Sequence, residues 1–125
     1  TIMNCEEKNF LGLCRSVNDV ANRTRTNSIS PDELSGSTFS ITNFGIFGVS
    51  MGTPIINQPN VGILGVGAIK KQPVVIESVN GDSIAIRSIM MLSLGFDHRL
   101  IDGAGGAKFL EKIRNNLEKI DLNTI

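Results

Sequence analysis

Apolar residues recur at every third or fourth position in two stretches of the chain, which is the spacing of one face of an α-helix. The first stretch covers residues 10–24 and follows Asn9, a residue type that commonly caps helices. The second lies near the C-terminus, and its apolar positions are Leu110, Ile113, Leu117 and Ile120. Between them, Ser30 precedes a proline and Glu33 follows at the third helical position, which predicts a short capped turn.

The region between the two predicted helices has the alternating or continuous apolar pattern of strands. Strands are predicted over residues 37–42, 61–69, 74–79, 82–87 and 89–96. Asn80-Gly81 separates two of these segments and is a strong signal for a two-residue hairpin turn. The sum is an α/β (α+β) protein in which a mixed β-sheet is flanked by helices.

The charge balance argues against polyanionic partners. Twelve basic and twelve acidic residues give a formal net charge of +0, and the one adjacent basic pair is Lys70-Lys71. A nucleic-acid or anionic-membrane partner would call for a basic patch, so neither is expected.

The chain has no apolar run approaching the ~20 residues that a membrane-spanning helix needs, and it lacks the pattern of a signal peptide. We therefore expect a soluble protein of the cytoplasm, or of the mitochondrial matrix in a eukaryote. Cys5 and Cys14 fit no disulfide or zinc pattern, and Cys14 falls among the apolar positions of the first helix, where it should pack as a small hydrophobe. One histidine and two distant cysteines predict no metal site.

His98 is the single histidine of the chain and stands where the last predicted strand runs into a loop. Asp97 and Arg99 flank it, and Asp102-Gly103 follows four residues later. Loops on a rigid scaffold often carry functional side chains. A lone histidine is nevertheless more often structural, and a carboxylate followed by glycine also describes an ordinary turn or helix cap.

Ser50 lies in a GxSxG sequence, and Asp97 and His98 follow in the order that serine hydrolases of the α/β-hydrolase type use. That motif requires a strand–turn–helix elbow, whereas Ser50 is preceded by a glycine-rich loop and followed by Pro54. We interpret the match as coincidental. The spacing of Gly62, Gly65 and Gly67 is not that of a phosphate-binding loop and favours close strand packing.

Four segments occur in one order along the chain, at residues 39–45, 52–59, 63–67 and 92–103. Together they resemble the catalytic domain of the dihydrolipoamide acyltransferases, the core components of 2-oxo acid dehydrogenase complexes. The resemblance implies a fold like that of chloramphenicol acetyltransferase, assembled as trimers that build a larger core. Residues 1–125 would then be the C-terminal portion of one catalytic domain, with its N-terminal half, a lipoyl domain and a subunit-binding domain lying outside this sequence.

The resemblance also implies a reaction, transfer of an acyl group between the thiol of a dihydrolipoyl arm and that of coenzyme A. Coenzyme A would be a substrate, and the lipoyl group would be carried by a domain outside this sequence. The 2-oxo acid dehydrogenase and dihydrolipoamide dehydrogenase components would be partners through such domains. An imidazole with an ordinary pKa of about 6.5 can accept a proton from a thiol with a pKa of about 8.5.

By resemblance His98 is the base that activates the thiol, and the hydroxyl of Thr42 is the donor to the oxyanion. Asp102 would hold the catalytic loop rather than transfer protons. In the family the active site lies between neighbouring subunits of the trimer, so His98 and Thr42 of different copies are expected to act together.

Two alternatives share the fold. One is a core subunit that builds the assembly without catalysing a reaction. The other is a free-standing chloramphenicol-type acetyltransferase or a condensation domain, but those proteins usually carry a second histidine where this chain has Asp97. The acyl group can be acetyl, branched-chain or succinyl, of which only succinyl would require a cation in its pocket.

Overall fold

A computed structural model describes residues 1–121. Within that part of the chain the helices are α1 (Phe10–Arg25) and α2 (Gly103–Glu118), and the strands are β1 (Ser40–Asn43), β2 (Gly62–Val66), β3 (Lys70–Ile76), β4 (Ser83–Ile89) and β5 (Leu92–Phe96). The chain divides into two compact units, Phe39–Ile113 and a second unit that combines Thr1–Thr38 with the residues from Arg114 onward. Neither described helix is long and apolar enough to cross a membrane.

The first helix begins where the sequence predicts. The side chain of Asn9 accepts a hydrogen bond of 2.8 Å from the backbone N–H of Gly12, which is the contact of an N-cap. The apolar face of α1 remains largely exposed to solvent, since Phe10 is 51% exposed and Val17 is 56% exposed. Cys14 is exposed as well, so the expectation that it packs as a small hydrophobe is wrong. Cys5 is likewise a free, exposed thiol.

The capped turn after α1 is confirmed as a 3-10 segment, Pro31–Leu34. Glu33 Oε1 accepts a hydrogen bond of 3.1 Å from the N–H of Ser30, as a capping box requires. Arg23 reaches back from α1 to Glu33 with a contact of 2.6 Å, and hydrogen bonds from Ser30 and Arg23 lower the pKa of the Glu33 carboxyl. These contacts join the helix and the turn in one unit.

The larger unit contains a three-stranded mixed sheet in the order β1-β2-β5. β1 runs parallel to β2, whereas β2 and β5 are antiparallel. In the register of the sheet, Thr42 pairs with Gly65, which pairs in turn with Ser93, and Gly62 at the start of β2 pairs with Phe96 at the end of β5. The predicted mixed sheet is therefore confirmed.

Alternation of side chains along strands gives this sheet two faces. Phe96 and Leu94 belong to the face that packs on the first turns of α2, where the rings of Phe39 and Phe109 meet edge to face with centroids 5.9 Å apart. On the opposite face, Ser93 Oγ donates a hydrogen bond of 2.7 Å to the carbonyl of Gly52. The core lies on the central strand, where Ile63 and Leu64 are the buried hydrophobic side chains among the described residues.

Glycines let neighbouring backbone and rings approach β2 closely. A Cβ on Gly65 would lie 2.8 Å from the ring of Phe44, and one on Gly67 would lie 2.8 Å from the carbonyl carbon of Ser50. Both distances are far inside van der Waals contact, so neither position accepts a side chain without movement of the chain. The interpretation of these glycines as packing positions is confirmed.

β3 and β4 form a separate antiparallel ribbon that pairs from Lys70 with Ile89 to Ile76 with Ser83. Residues 77–82 therefore form a six-residue loop, and the predicted two-residue hairpin is wrong. The backbone of this loop turns at Gly81, where φ is 108°. Within the loop, the hydroxyl of Ser78 donates a hydrogen bond of 2.7 Å to the carbonyl of Gly81. Hydrogen bonds within the loop take the place of the last inter-strand hydrogen bonds that a two-residue hairpin would form.

Several strand boundaries also differ from the prediction. The strand predicted to begin at residue 37 begins at Ser40, and the one predicted to continue to residue 69 ends at Val66. In the latter, the N–H of Gly67 still donates to the carbonyl of Met91 at 3.0 Å in the register of β2 and β5, but the next N–H, that of Ala68, donates to the carbonyl of Val49 at 2.9 Å in the loop that follows β1. The strand predicted over residues 89–96 starts only at Leu92, since Ile89 pairs in β4.

The contact between α2 and the sheet predicts opposite effects for two glycines of one helix. A Cβ on Gly106 would lie 2.7 Å from Phe96 Cζ, whereas one on Gly103 would meet nothing within 4 Å. Overpacking costs about 1–3 kcal/mol, which exceeds the ~1 kcal/mol that alanine gains over glycine in a helix. Gly106→Ala should lower the free energy of unfolding in urea by up to about 2 kcal/mol. Gly103→Ala is the matched control and should leave it unchanged or slightly raised; equal effects of the two substitutions would contradict the assigned contact.

Candidate active site

His98 lies in the short connection between β5 and α2. The N–H of Asp97 donates to the carbonyl of Val61 at 2.9 Å, which ties the connection to the residue before β2. The carbonyl of Asp97 accepts from the N–H groups of Leu100 and Ile101, both at 3.0 Å. The connection is thus a closed turn, and the His98 side chain is exposed on it.

The two neighbours of His98 in sequence form an ion pair. Asp97 Oδ2 lies 2.6 Å from Arg99 Nη2, and Oδ1 accepts from Arg99 Nε at 2.9 Å and from the Arg99 backbone N–H at 3.0 Å. The Asp97 side chain is only 19% exposed, whereas that of Arg99 is 81% exposed. Hydrogen bonds from Arg99 lower the pKa of Asp97 from its ordinary 3.8 to about 2. The carboxylate therefore stays ionised above that value, and the pair is lost as the pH falls through it.

Asp102 makes the contact of a helix N-cap. Its Oδ1 accepts a hydrogen bond of 2.6 Å from the N–H of Gly105, and its carbonyl accepts one of 3.0 Å from the N–H of Gly106. A negative charge is also favourable at this end of a helix. Of the turn and the helix cap that the sequence allowed here, the structure has the cap. It fixes the start of α2 directly after Asp102, four residues beyond His98.

The imidazole of His98 packs against a phenylalanine. The ring centroids of Phe96 and His98 are 5.5 Å apart with the planes inclined by 42°, and the Phe96 ring itself packs on the buried Gly106. No hydrogen bond joins the imidazole to another residue among 1–121. Phe96 and Gly106 were not singled out from the sequence, although strand alternation places Phe96 on the helix-covered face and a glycine suits close helix packing.

Thr42 lies in the middle of β1 with a half-buried side chain. Within the described part of the chain its hydroxyl has no hydrogen-bond partner, so the group is free to donate to a ligand. It shares a row of the sheet with Gly65 and Ser93.

Thr42 and His98 do not meet within one copy of the chain. The row of Thr42 is three residues from the row of Gly62 and Phe96, which is roughly 10 Å along the strands. The side chains of Thr42 and Phe96 also point to opposite faces of the sheet. Of the three residues predicted for the site, His98 and Asp102 lie in the same connection between β5 and α2, whereas Thr42 lies apart in β1.

Ser50 lacks the setting of a nucleophile elbow. A 3-10 segment, Gly45–Phe47, precedes it, and no helix follows before β2 begins at Gly62. Its carbonyl group packs against Gly67. The geometry gives no support to a serine hydrolase.

An apolar cavity of about 190 Å³ lies between the sheet and α2. Its lining comprises Phe39, Val61, Gly62, Leu94, Phe96, Ile101, Gly106 and Phe109. A space of this size and lining would hold a small apolar group and offers no polar side chain to a charged ligand. Among residues 1–121 there is no cluster of three or more histidine, cysteine or acidic side chains that could hold a metal ion.

Comparisons with known proteins all point to one family. A family model described as the catalytic domain of 2-oxoacid dehydrogenases acyltransferase matches residues 1–125. The acetyltransferase component of the pyruvate dehydrogenase complex of Mycobacterium bovis is 48% identical over 109 residues, which are 86% of this chain and 20% of that protein. The mitochondrial succinyltransferase component of the 2-oxoglutarate dehydrogenase complex of Bos taurus is 40% identical over 117 residues, 94% of this chain and 25% of that protein.

Solved structures agree with the fold. A probable dihydrolipoamide acetyltransferase from Listeria monocytogenes superposes with a TM-score of 0.90 at 37% identity, covering 99% of this chain and 51% of that one. The dihydrolipoamide acetyltransferase of Azotobacter vinelandii superposes with a TM-score of 0.84 at 34% identity, covering 94% of this chain and 47% of that one. That protein was studied for the role of a serine, a histidine and an asparagine in its catalytic mechanism.

A third structure is the cubic core of a pyruvate dehydrogenase multienzyme complex, with a TM-score of 0.83 at 33% identity over 93% of this chain and 46% of that one. The chain thus spans a fifth to a quarter of the length of these two curated relatives and about half of the solved chains. The expected chloramphenicol acetyltransferase-like fold is confirmed by these superpositions. The chain belongs to the 2-oxoacid dehydrogenase acyltransferase family and matches its catalytic domain.

Proposed function

We propose that this chain carries part of the site for acyl transfer between the thiol of a dihydrolipoyl group and the thiol of coenzyme A in a 2-oxo acid dehydrogenase complex. The observation that carries the proposal is the exposed His98, presented between β5 and a helix capped by Asp102, in a chain of this family. The lipoyl group would be delivered by a separate carrier, and coenzyme A would be a substrate.

The Azotobacter vinelandii enzyme supports this assignment. The histidine and the asparagine studied in its catalytic mechanism stand four residues apart, as His98 and Asp102 do. The third residue studied there is a serine, and Thr42 offers the same hydroxyl chemistry. That serine stands four residues nearer to the histidine than Thr42 does to His98, a difference that loops between strands can absorb.

In the proposed reaction the imidazole of His98 accepts the proton of the attacking thiol. The resulting thiolate attacks the thioester carbonyl, a new C–S bond forms, and negative charge develops on the carbonyl oxygen. A hydrogen bond from the Thr42 hydroxyl stabilises that oxygen. Collapse of the intermediate breaks the original C–S bond, and the imidazolium returns its proton to the departing thiolate.

We infer further that His98 of one copy works with Thr42 of a neighbouring copy. The support is geometric, since the two residues lie in different rows of the sheet within one chain. The likeness to a cubic core of a pyruvate dehydrogenase complex is consistent with a self-associating protein. Closed homo-oligomers repeat such a contact at every interface, so each site would be complete.

Loss of the base gives the first test. In the intact protein, His98→Ala should lower kcat for transfer from acetyl-, succinyl- or branched-chain acyl-dihydrolipoamide to coenzyme A by about 10²–10⁴-fold, because no other group supplies the proton transfer. Assembly, followed by analytical ultracentrifugation, should be unchanged because the substitution leaves the backbone bonds of the turn intact. A rate within a few-fold of the wild type would show that His98 is not the base, and normal assembly of a wild type without turnover would favour a scaffold subunit.

Asp102 should tolerate asparagine better than alanine. Asparagine retains an oxygen that can accept from the N–H of Gly105, whereas alanine removes the cap at a cost of about 0.5–2 kcal/mol in unfolding free energy. Asp102→Asn should therefore keep more of the acyl-transfer rate and of the thermal stability than Asp102→Ala, and both should lose less activity than His98→Ala. A larger loss in Asp102→Asn than in Asp102→Ala would contradict the capping role.

Mixed oligomers test the shared site. Thr42→Val removes the hydroxyl and should cost about 10²–10³-fold in kcat, so neither it nor His98→Ala is active alone. Reassembled in equal amounts, the two variants should regain about a quarter of the wild-type sites, since an interface that joins an intact His98 to an intact Thr42 forms with that probability. The control mixes His98→Ala with the double variant and should stay inactive. Absence of recovery in co-assembled particles would place both residues in one subunit.

A further inference from the structure

The Asp97–Arg99 ion pair encloses His98 between its two members. Asp97 receives hydrogen bonds from the Arg99 backbone at 3.0 Å and from Nε at 2.9 Å, and its other oxygen contacts Nη2 at 2.6 Å. The side chain and the main chain of Arg99 are thus both held by one carboxylate. Closure of this ring limits how the two peptide groups on either side of His98 can rotate, which in turn sets the direction of its Cα–Cβ bond.

Asp97 is anchored independently of Arg99. Its N–H donates to the carbonyl of Val61, and its carbonyl accepts from Leu100 and Ile101. Its side chain is largely covered, so the carboxylate is a fixed point to which the mobile arginine side chain folds back. Arg99 lowers the pKa of Asp97 from 3.8 to about 2, so the carboxylate is charged at neutral pH and stays charged in mildly acidic solution as well.

The ion pair should contribute little to the free energy of unfolding. The Arg99 side chain is 81% exposed, and exposed pairs are screened by water and salt. The arrangement is also redundant for helix formation, because α2 is capped by Asp102. What the pair does control is the local backbone at the one residue proposed as the base.

We propose that Asp97 and Arg99 are positioning residues for His98, which hold the turn so that the imidazole packs against Phe96 and presents its free edge to the substrate thiol. The proposal rests on the proposed acyl transfer. Neither residue is assigned a contact with substrate. Their loss should therefore reduce the fraction of molecules in which His98 is correctly placed for proton transfer. The effect should fall on kcat and leave KM for both thiol substrates largely unchanged.

The kinetic test uses Asp97→Asn, Arg99→Gln and Arg99→Lys in the intact protein. We expect kcat to fall about three- to tenfold in Asp97→Asn and Arg99→Gln, with KM within about twofold of the wild type and the melting temperature unchanged. Arg99→Lys retains the charge without the fork and should recover part of the loss. Asp19→Asn is the matched control, since it breaks an exposed ion pair with Arg23 on α1 and should leave kcat unchanged.

A spectroscopic test does not depend on turnover. In protein labelled at Cε1 of histidine, the signal that disappears in His98→Gln belongs to His98, and the Phe96 ring at 5.5 Å should displace it by its ring current. In Asp97→Asn and Arg99→Gln this signal should move toward its position in Phe96→Leu, because the imidazole leaves the ring.

Unchanged kcat together with an unchanged His98 signal would overturn the proposal, as would a rise in KM or a fall in melting temperature without a fall in kcat. An inactive wild-type protein would refute the proposed acyl transfer. In that case the His98 signal alone decides whether the ion pair positions the imidazole.

Discussion

The contact between Gly106 and the ring of Phe96 is the constraint on which the arrangement of the site depends. It brings the first turns of α2 onto the end of β5 at a distance that no side chain at position 106 would permit. Phe96 is thereby held at the edge of the sheet, and its ring supports the imidazole of His98. A helix that stood further away would leave both rings without a surface to pack on.

Around this contact, short-range polar bonds define the path of the chain. Asp97 is joined to Val61 at the start of β2 and to the two residues that close the turn, while Asp102 caps the helix that follows. Two carboxylates five positions apart therefore bracket His98, one by an ion pair and one by a cap. Because the ion pair is local and its arginine is exposed, it restricts the turn without adding much to the stability of the fold.

Within one chain, the sheet keeps the proposed proton acceptor apart from the proposed oxyanion donor. The proposed base stands beyond the end of β5, and the proposed oxyanion donor Thr42 stands in the interior of β1 on the other face. A proton acceptor and an oxyanion donor must both lie within hydrogen-bond reach of one reacting carbonyl group. In the proposed enzyme this is achieved by association of copies, so catalysis and assembly depend on each other.

What the sequence by itself determined was the set of features that depend on near neighbours. The extent of α1 after Asn9, the capped turn at Ser30 and the position of His98 in a loop after a strand follow from periodicity and capping chemistry within a few residues. The apolar pattern predicted the mixed sheet, and the four motifs that resemble the acyltransferases indicated the family and the candidate residues. The two-residue hairpin was wrong because Asn80-Gly81 indicates a turn but not the length of the loop around it.

Only the tertiary structure decided where strands end, which ring packs against His98 and which predicted residues meet. Beyond β2 the N–H of Ala68 bonds to the carbonyl of Val49, a residue that no local pattern connects to it. The packing of Phe96 on Gly106 and the separation of Thr42 from His98 likewise depend on strand register and on the approach of α2. Such contacts join residues far apart in sequence, and their geometry is set by packing of the whole unit rather than by the residue types at either end.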